Sequence, residues 1–285
     1  MSTDRATAAD GYRTLRCERW TFKLADARVP ASQTAEAIVA IALDAAAATA
    51  GVPIRRSRHA ETWIARPGDV DLFVKILNRR SGIAQLKRLF RGSVADRVAA
   101  ITAALQRDGF GAPLPMVWGA ERGAGREVLV TARARGTLLA RLLREGTLAG
   151  AAKRSMLRAL GAEIARLHLA GYLHGDLTPF NVIVSRDSSE FRFIFLDHER
   201  TRRTWMARLV RPRLRNLVQL GHFDLPGITW SGRMRVWCGY ARALGAPRRH
   251  LLRLIAMIKG RRAKDRRRML SVSGSIVARS EAGEA

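Results

Sequence analysis

The chain has 285 residues, 47% of them hydrophobic, and carries 51 Lys and Arg against 24 Asp and Glu, a formal charge of +27. That length and apolar content support one large or two small domains with a real core, and ordinary Gly and Pro contents exclude collagen-like and wholly disordered classes. The charge predicts attraction to polyanions, whether nucleic acid, an anionic membrane face or a phosphate-bearing substrate, although an arginine-rich coding bias contributes to it, since six of the cations are Lys and the rest Arg.

Residues 1–30 show little periodicity and read as an arm or irregular lead-in. They are polar and mixed in charge until Trp20, so no signal peptide is expected. Residues 32–50 read as a helix. The Ala-rich run there is broken by Asp44 and fits a soluble helix better than a membrane span. "AETWIAR" and "VDLFVKIL" flank Pro67-Gly68-Asp69, a hairpin signal. "GIAQLKRLF" and the stretch from Ser93 to Gly109 read as helices, with Ser93 as N-cap and Gly109 as stop. Two further strands, "MVWGA" and "EVLVTAR", follow Pro113 and Pro115.

The second half changes character. Met156, Leu157, Leu160, Ile164 and Leu167 recur at helical spacing. A short strand pair, "VIVS" and "FRFIFLD", comes next, and the chain beyond Arg213 reads as helical with a basic amphipathic end. The layout is therefore α+β: an arm and helix over 1–50, a strand-rich lobe over 51–135, and a helical lobe over 136–285. Cys17 and Cys238 suggest neither a disulfide framework nor a zinc site, and a reducing compartment is expected.

Chemistry concentrates in "GYLHGDLTPFNVIV" and "FIFLDHERTRR". Asp176 and Asn181 fall in the loop before the first strand of the pair, and Asp197 ends the second strand. Antiparallel strands return the chain to its starting end, which predicts that Asn181 and Asp197 converge as hard oxygen ligands suited to Mg²⁺. Asp176 would then stand beside the ion as a base, and Lys75, set in "LFVKIL", would supply a cation for phosphates, the equipment of phosphoryl transfer from a nucleotide. Simpler readings remain at this point: Lys75 as an edge-strand or snorkelling residue, Asp176 and Asn181 as turn-formers, and His174 as a brace for the loop.

"HGDLTPFN" resembles the catalytic loop of the protein-kinase-like superfamily, with its H-x-D-x-x-x-x-N spacing. "FLDHERTRR" resembles the metal-binding motif of the lipopolysaccharide kinase family, which phosphorylates Kdo or heptose of the inner core. "RHAETWIARPGDVDLFVKIL" and "RNLVQLG…RMRVWCGYARALG" are similar to that family's opening hairpin and helical tail. The resemblance implies a two-lobed kinase-like fold, ATP and Mg²⁺ as cofactors, and Asp176 as catalytic base. It further implies Lys75 on the nucleotide's phosphates, with Asn181 and Asp197 on the metal. It also implies a lipopolysaccharide core or lipid-A-linked sugar as acceptor and an anionic membrane surface as partner, at the cytoplasmic face of the inner membrane, with no nucleic acid. Where relatives have a glycine-rich phosphate loop this chain has "SRHAET". Asp96 is the acid that the following helix offers in place of the usual Glu for pairing with Lys75. The alternatives are a soluble aminoglycoside- or choline-type phosphotransferase, an atypical protein kinase, a pseudokinase, or a nucleic-acid-binding protein.

Overall fold

The structure, a computed structural model, describes residues 11–49, 53–57, 60–78, 92–123, 125–148, 150–187, 190–222, 225, 227–247, 249–250 and 252–264. The helix expected at 82–90 lies outside them. The chain forms two compact units, one of residues 1–135 with 194–199 and the other of residues 136–193 with 200–285.

The first unit is built on a seven-stranded antiparallel sheet. Its strands are β1 (Arg13–Cys17), β2 (Trp20–Leu24), β3 (Arg55–Arg56), β4 (Ala60–Ala65), β5 (Leu72–Asn78), β6 (Pro115–Glu121) and β7 (Arg126–Ala132), in the order β1-β2-β6-β7-β5-β4-β3. The lead-in expected to be irregular is thus a hairpin. Trp20, Phe22 and Leu24 alternate inward along β2, a period-two pattern that buries one face of the strand. The β4–β5 hairpin forms as the Pro67-Gly68-Asp69 signal predicts, with Gly68 at φ +61°.

A helix packs on each face of this sheet. α1 (Ala35–Ala47) starts at Thr34, whose hydroxyl accepts the Ala37 N–H, and buries Ile38, Val39 and Ala42 with Phe22, Leu72, Val74, Ile76, Val128 and Val130. α2 (Val94–Arg107) buries Val94, Ala95, Val98 and Ala99 with Leu77, Trp118 and Leu129. Ser93 caps α2 as its sequence predicts, accepting from the Asp96 N–H at 3.3 Å. A second cap was not foreseen: the buried Glu127 carboxylate accepts from Ser93 Oγ at 2.8 Å and from the Ala95 N–H at 2.7 Å, placing a negative charge at the helix's positive end.

The second unit is mainly helical: α3 (Leu139–Glu145), α4 (Gly150–Leu169), α5 (Val210–Gly221) and α6 (Trp230–Leu244), with residues 252–264 also helical. Met156, Leu157, Leu160, Ile164 and Leu167 are all buried on α4. α4 and α6 approach so closely that a Cβ on Gly161 would lie 1.9 Å from the Val236 carbonyl oxygen, and one on Gly239 2.0 Å from that of Arg158. Two small strand sets hold the loops. β8 (Thr137–Leu138) pairs with β10 (Val182–Asp187), which neighbours β11 (Glu190–Phe195), and β9 (Tyr172–Leu173) pairs antiparallel with β12 (Arg202–Arg203).

Candidate active site

Within the first unit the site begins at Lys75. Val74 and Ile76 face α1, so strand alternation turns Lys75 to the opposite face. Its Nζ lies 3.0 Å from Asp197 Oδ1 and 2.7 Å from Glu199 Oε1. Burial pulls this ammonium's pKa down, but the charges of Asp197 and Glu199, with their hydrogen bonds, outweigh it and the net shift is upward. Lys75 therefore stays cationic at any physiological pH.

The two acids arrive through a tight local turn. Phe195, within the first unit, donates its N–H to the Gly111 carbonyl at 2.9 Å. The chain then turns at Asp197, which adopts φ +61°, a left-handed conformation that Asp tolerates better than most side chains. A 3-10 turn over His198–Arg200 follows, and His198 Nε2, buried, closes it on the Phe195 carbonyl at 2.8 Å. Asp197 and Glu199, two residues apart, can then both reach Lys75.

The expectation that Asp96 pairs with Lys75 is corrected here. Asp96 Oδ1 accepts from Lys23 Nζ at 2.7 Å and from Trp118 Nε1 at 2.9 Å. Lys23, Trp118, Leu129 and Lys75 form one cross-strand row over β2, β6, β7 and β5. Neighbouring strands are about 4.8 Å apart, so three steps separate Lys75 from Lys23 by about 14 Å. Asp96 sits at the wrong end of the row, and Glu199 takes the place the helix acid was expected to fill. In the "SRHAET" stretch, Ser57 and Ala60 bond to each other through N–H, carbonyl and hydroxyl groups, and residues 58 and 59 lie outside the description.

Within the second unit the loop after β9 carries His174, Gly175 and Asp176. Gly175 has φ +76°, and a Cβ there would meet the Arg200 carbonyl oxygen at 2.6 Å, so glycine is required for two reasons. A 3-10 turn, Pro179–Asn181, brings the amide of Asn181 back: its Nδ2 donates to the Asp176 carbonyl at 2.9 Å and to Asp176 Oδ2 at 3.3 Å. With its NH₂ so engaged, Asn181 turns its carbonyl oxygen elsewhere, as a ligand for a hard cation requires. Among the described residues no three His, Cys, Asp or Glu side chains gather as a metal site of their own.

Neutral side chains hold this loop from beneath. Asn216 Oδ1 on α5 accepts the His174 N–H at 3.0 Å, and Thr201 Oγ1 donates to the His174 carbonyl at 3.1 Å. Gln219 donates to the Gly175 carbonyl at 2.8 Å and accepts from the Leu177 N–H at 3.3 Å. Behind Asn216 lies a buried pair: His168 Nε2 is 3.3 Å from Asn216 Oδ1, and His168 Nδ1 is 2.9 Å from the Tyr240 hydroxyl. His174 itself is fully buried. Sequence patterning does not single out Asn216, Gln219, Thr201 or His168. Nothing in the spacing of Asn216 and Gln219 marks them, because each meets a loop residue more than forty positions away.

An aspartate and an asparagine five residues apart on a buttressed loop, in a chain that also carries a carboxylate-bound strand lysine, are the equipment of a kinase-like phosphotransferase. The particular family comes from comparison with known proteins. Over residues 83–239, more than half of its length, the chain matches the lipopolysaccharide kinase (Kdo/WaaP) family, and it belongs to that family. The antiparallel sheet of the first unit and the helices of the second bear out the α+β class expected from the sequence. Two solved structures are similar at lower identity. WbdD bound to the kinase inhibitor LY294002 has 18% identity, with 67% of this chain and 45% of that one covered and a TM-score of 0.43. WbdD in a second, high-resolution crystal structure has 16% identity, with 73% and 50% covered and a TM-score of 0.43. The chain spans about half the length of those proteins. No curated protein matches it.

Proposed function

We propose that this chain phosphorylates a hydroxyl of Kdo or heptose in the lipopolysaccharide inner core, at the cytoplasmic face of the inner membrane. The observation that carries the reading is the Asp176–Asn181 pair, bonded to each other on a loop whose backbone is held by Asn216, Gln219 and Thr201. Asp176 accepts the proton of the sugar hydroxyl as its oxygen forms a bond to the γ-phosphorus. The bond to the β,γ-bridging oxygen breaks, and that electron pair leaves with ADP. Lys75 neutralises nucleotide phosphate charge, and its two carboxylates keep the ammonium placed. Mg²⁺, ordinarily held by one or two carboxylates plus substrate phosphates, would offset charge on those phosphates, and Asn181 and Asp197 are oxygen donors of the required kind.

The membrane part of the reading is supported by the +27 charge, which suits an acceptor anchored in an anionic leaflet. No described helix is long and apolar enough to cross a membrane. The decisive experiment is Asp176→Ala: ATP-dependent phosphorylation of lipopolysaccharide core should fall by about 10²- to 10⁴-fold with an unchanged thermal midpoint. Retained turnover sinks the mechanism. Mass spectrometry of core oligosaccharide from a deletion strain tests the acceptor, which requires the loss of one phosphate.

A further inference from the structure

The polar loop that follows the Asp197 turn exposes large apolar side chains. Trp205 is 71% exposed, Leu209 43% and Met206 39%, and Leu169, at the end of α4, is 59% exposed. Trp205–Arg208 form a 3-10 turn whose cap is Thr204, and Leu209 N donates to the Met206 carbonyl, so three of these residues are presented on one short, ordered element. Leu169 belongs to the same edge, because Thr204 N donates to the Gly171 carbonyl at 2.8 Å, two residues beyond it.

The charge along this segment has one sign. From Arg200 to Phe223 the sequence contains Arg200, Arg202, Arg203, Arg208, Arg211, Arg213 and Arg215 and no Asp or Glu. Arg202, Arg203, Arg208 and Arg211 are exposed. A tryptophan tip beside aliphatic side chains, rimmed by arginines, has what a lipid–water interface takes: an apolar part for the acyl boundary and cations for the headgroups. A purely electrostatic partner such as a nucleic-acid backbone has no use for Met206, Leu209 and Leu169.

We propose that residues 202–211 together with Leu169 form the face through which this chain seats on an anionic phospholipid bilayer. The inference rests on the membrane-facing reading above and names the surface that serves it. Its position has a consequence for the reaction. β12 pairs with β9, Thr201 bonds the His174 carbonyl, and Arg203 lies over the Tyr172 ring at 5.5 Å, so the seated face is tied directly to the loop that carries Asp176. Seating fixes the height of that carboxylate above the bilayer, and so selects acceptor hydroxyls close to the lipid surface.

The test uses the full chain, without ATP or sugar acceptor, and vesicles of phosphatidylglycerol with phosphatidylethanolamine against vesicles of phosphatidylcholine. Wild type should sediment with the anionic vesicles. Trp205→Asp combined with Met206→Asp, at exposed positions, should weaken that binding at least about tenfold. Arg208→Gln with Arg211→Gln should weaken it and flatten its salt dependence. Brominated lipid should quench wild-type fluorescence more than that of Trp205→Phe. Unchanged vesicle binding by the Asp variant, no vesicle binding by wild type, or capture of single-stranded RNA in preference to vesicles overturns the proposal. Because neither substrate is present, those failures leave the Asp176→Ala experiment untouched, and a failed phosphorylation assay leaves the vesicle result standing.

Discussion

His168 makes the stability of the second unit depend on pH in a calculable way. The residue is fully buried. Asn216 Oδ1 already accepts the His174 N–H, so it acts as an acceptor toward His168 too, and the imidazole carries its proton on Nε2 while Nδ1 accepts from the Tyr240 hydroxyl. A second proton would strip Tyr240 of its acceptor and set a charge in a dry core. Burial accordingly pushes the His168 pKa down from 6.5 to about 4, against the raising effect of the Asn216 hydrogen bond and with a further lowering from the Arg213 charge. Between those two values the unfolded chain binds more protons than the folded one, so stability rises with pH. The contribution is complete above about 6.5 and is lost as pH falls toward 4. The interval corresponds to about 3 kcal/mol in the limit and about 2 kcal/mol at pH 5. The assay is equilibrium urea unfolding of wild type and His168→Gln at pH 7.5 and 5.0, where groups common to both proteins cancel in the difference. Wild type should lose about 2 kcal/mol more than the variant on acidification. A difference independent of pH refutes the neutral, buried imidazole.

Two further outcomes follow from the packing and the ion pairs. Glu199→Gln removes one of the two charges on Lys75 and should lower kcat/KM for ATP by about tenfold or more, whereas Asp96→Asn, which loosens only the Lys23 and Trp118 contacts, should stay within about twofold. Equal losses would return the pairing role to α2. Gly161→Ala places a Cβ 1.9 Å from the Val236 carbonyl oxygen and should destabilise the chain by about 3 kcal/mol in urea unfolding, while Gly260→Ala, where a Cβ meets nothing, should stabilise it by about 0.5–1 kcal/mol. Similar effects at both glycines would refute the close α4–α6 crossing.

Local chemistry was the readable part of this sequence. Ser93 caps α2, Pro67-Gly68-Asp69 turns a hairpin, and Met156, Leu157, Leu160, Ile164 and Leu167 of α4 fall on a buried face, each because the signal lies within one turn or one period of the residue it governs. The β1–β2 hairpin was legible in principle, through the alternation of Trp20, Phe22 and Leu24, but no Pro or Asn-Gly signal announces its turn. Partners distant in the chain were not readable. Glu199 meets Lys75 because a left-handed Asp197 and one 3-10 turn bring it there, and Asp96 fails to because of a strand order that no local pattern encodes. The "H-x-D-x-x-x-x-N" spacing marks Asp176 and Asn181, yet two of the three side chains that hold their loop, Asn216 and Gln219, come from α5, whose sequence shows only a helix.

Lys75 in the first unit and the Asp176 loop in the second are stabilised by opposite means, and this explains where each is sensitive. Lys75 is held by charge: two carboxylates at 3.0 and 2.7 Å offset the desolvation of one ammonium. Such a cluster loses its balance when any member is neutralised, so conservative substitutions there should act on nucleotide affinity. The loop carrying Asp176 is held without charge. Four backbone groups of residues 174–177 are satisfied by Asn216, Gln219 and Thr201, which avoids burying ions beside the Asp176 carboxylate. Asn216 in turn rests on His168, the titratable member of the network's interior, and Tyr240, whose hydroxyl burial pushes away from ionisation. Acid should therefore reach the loop through His168, by way of packing.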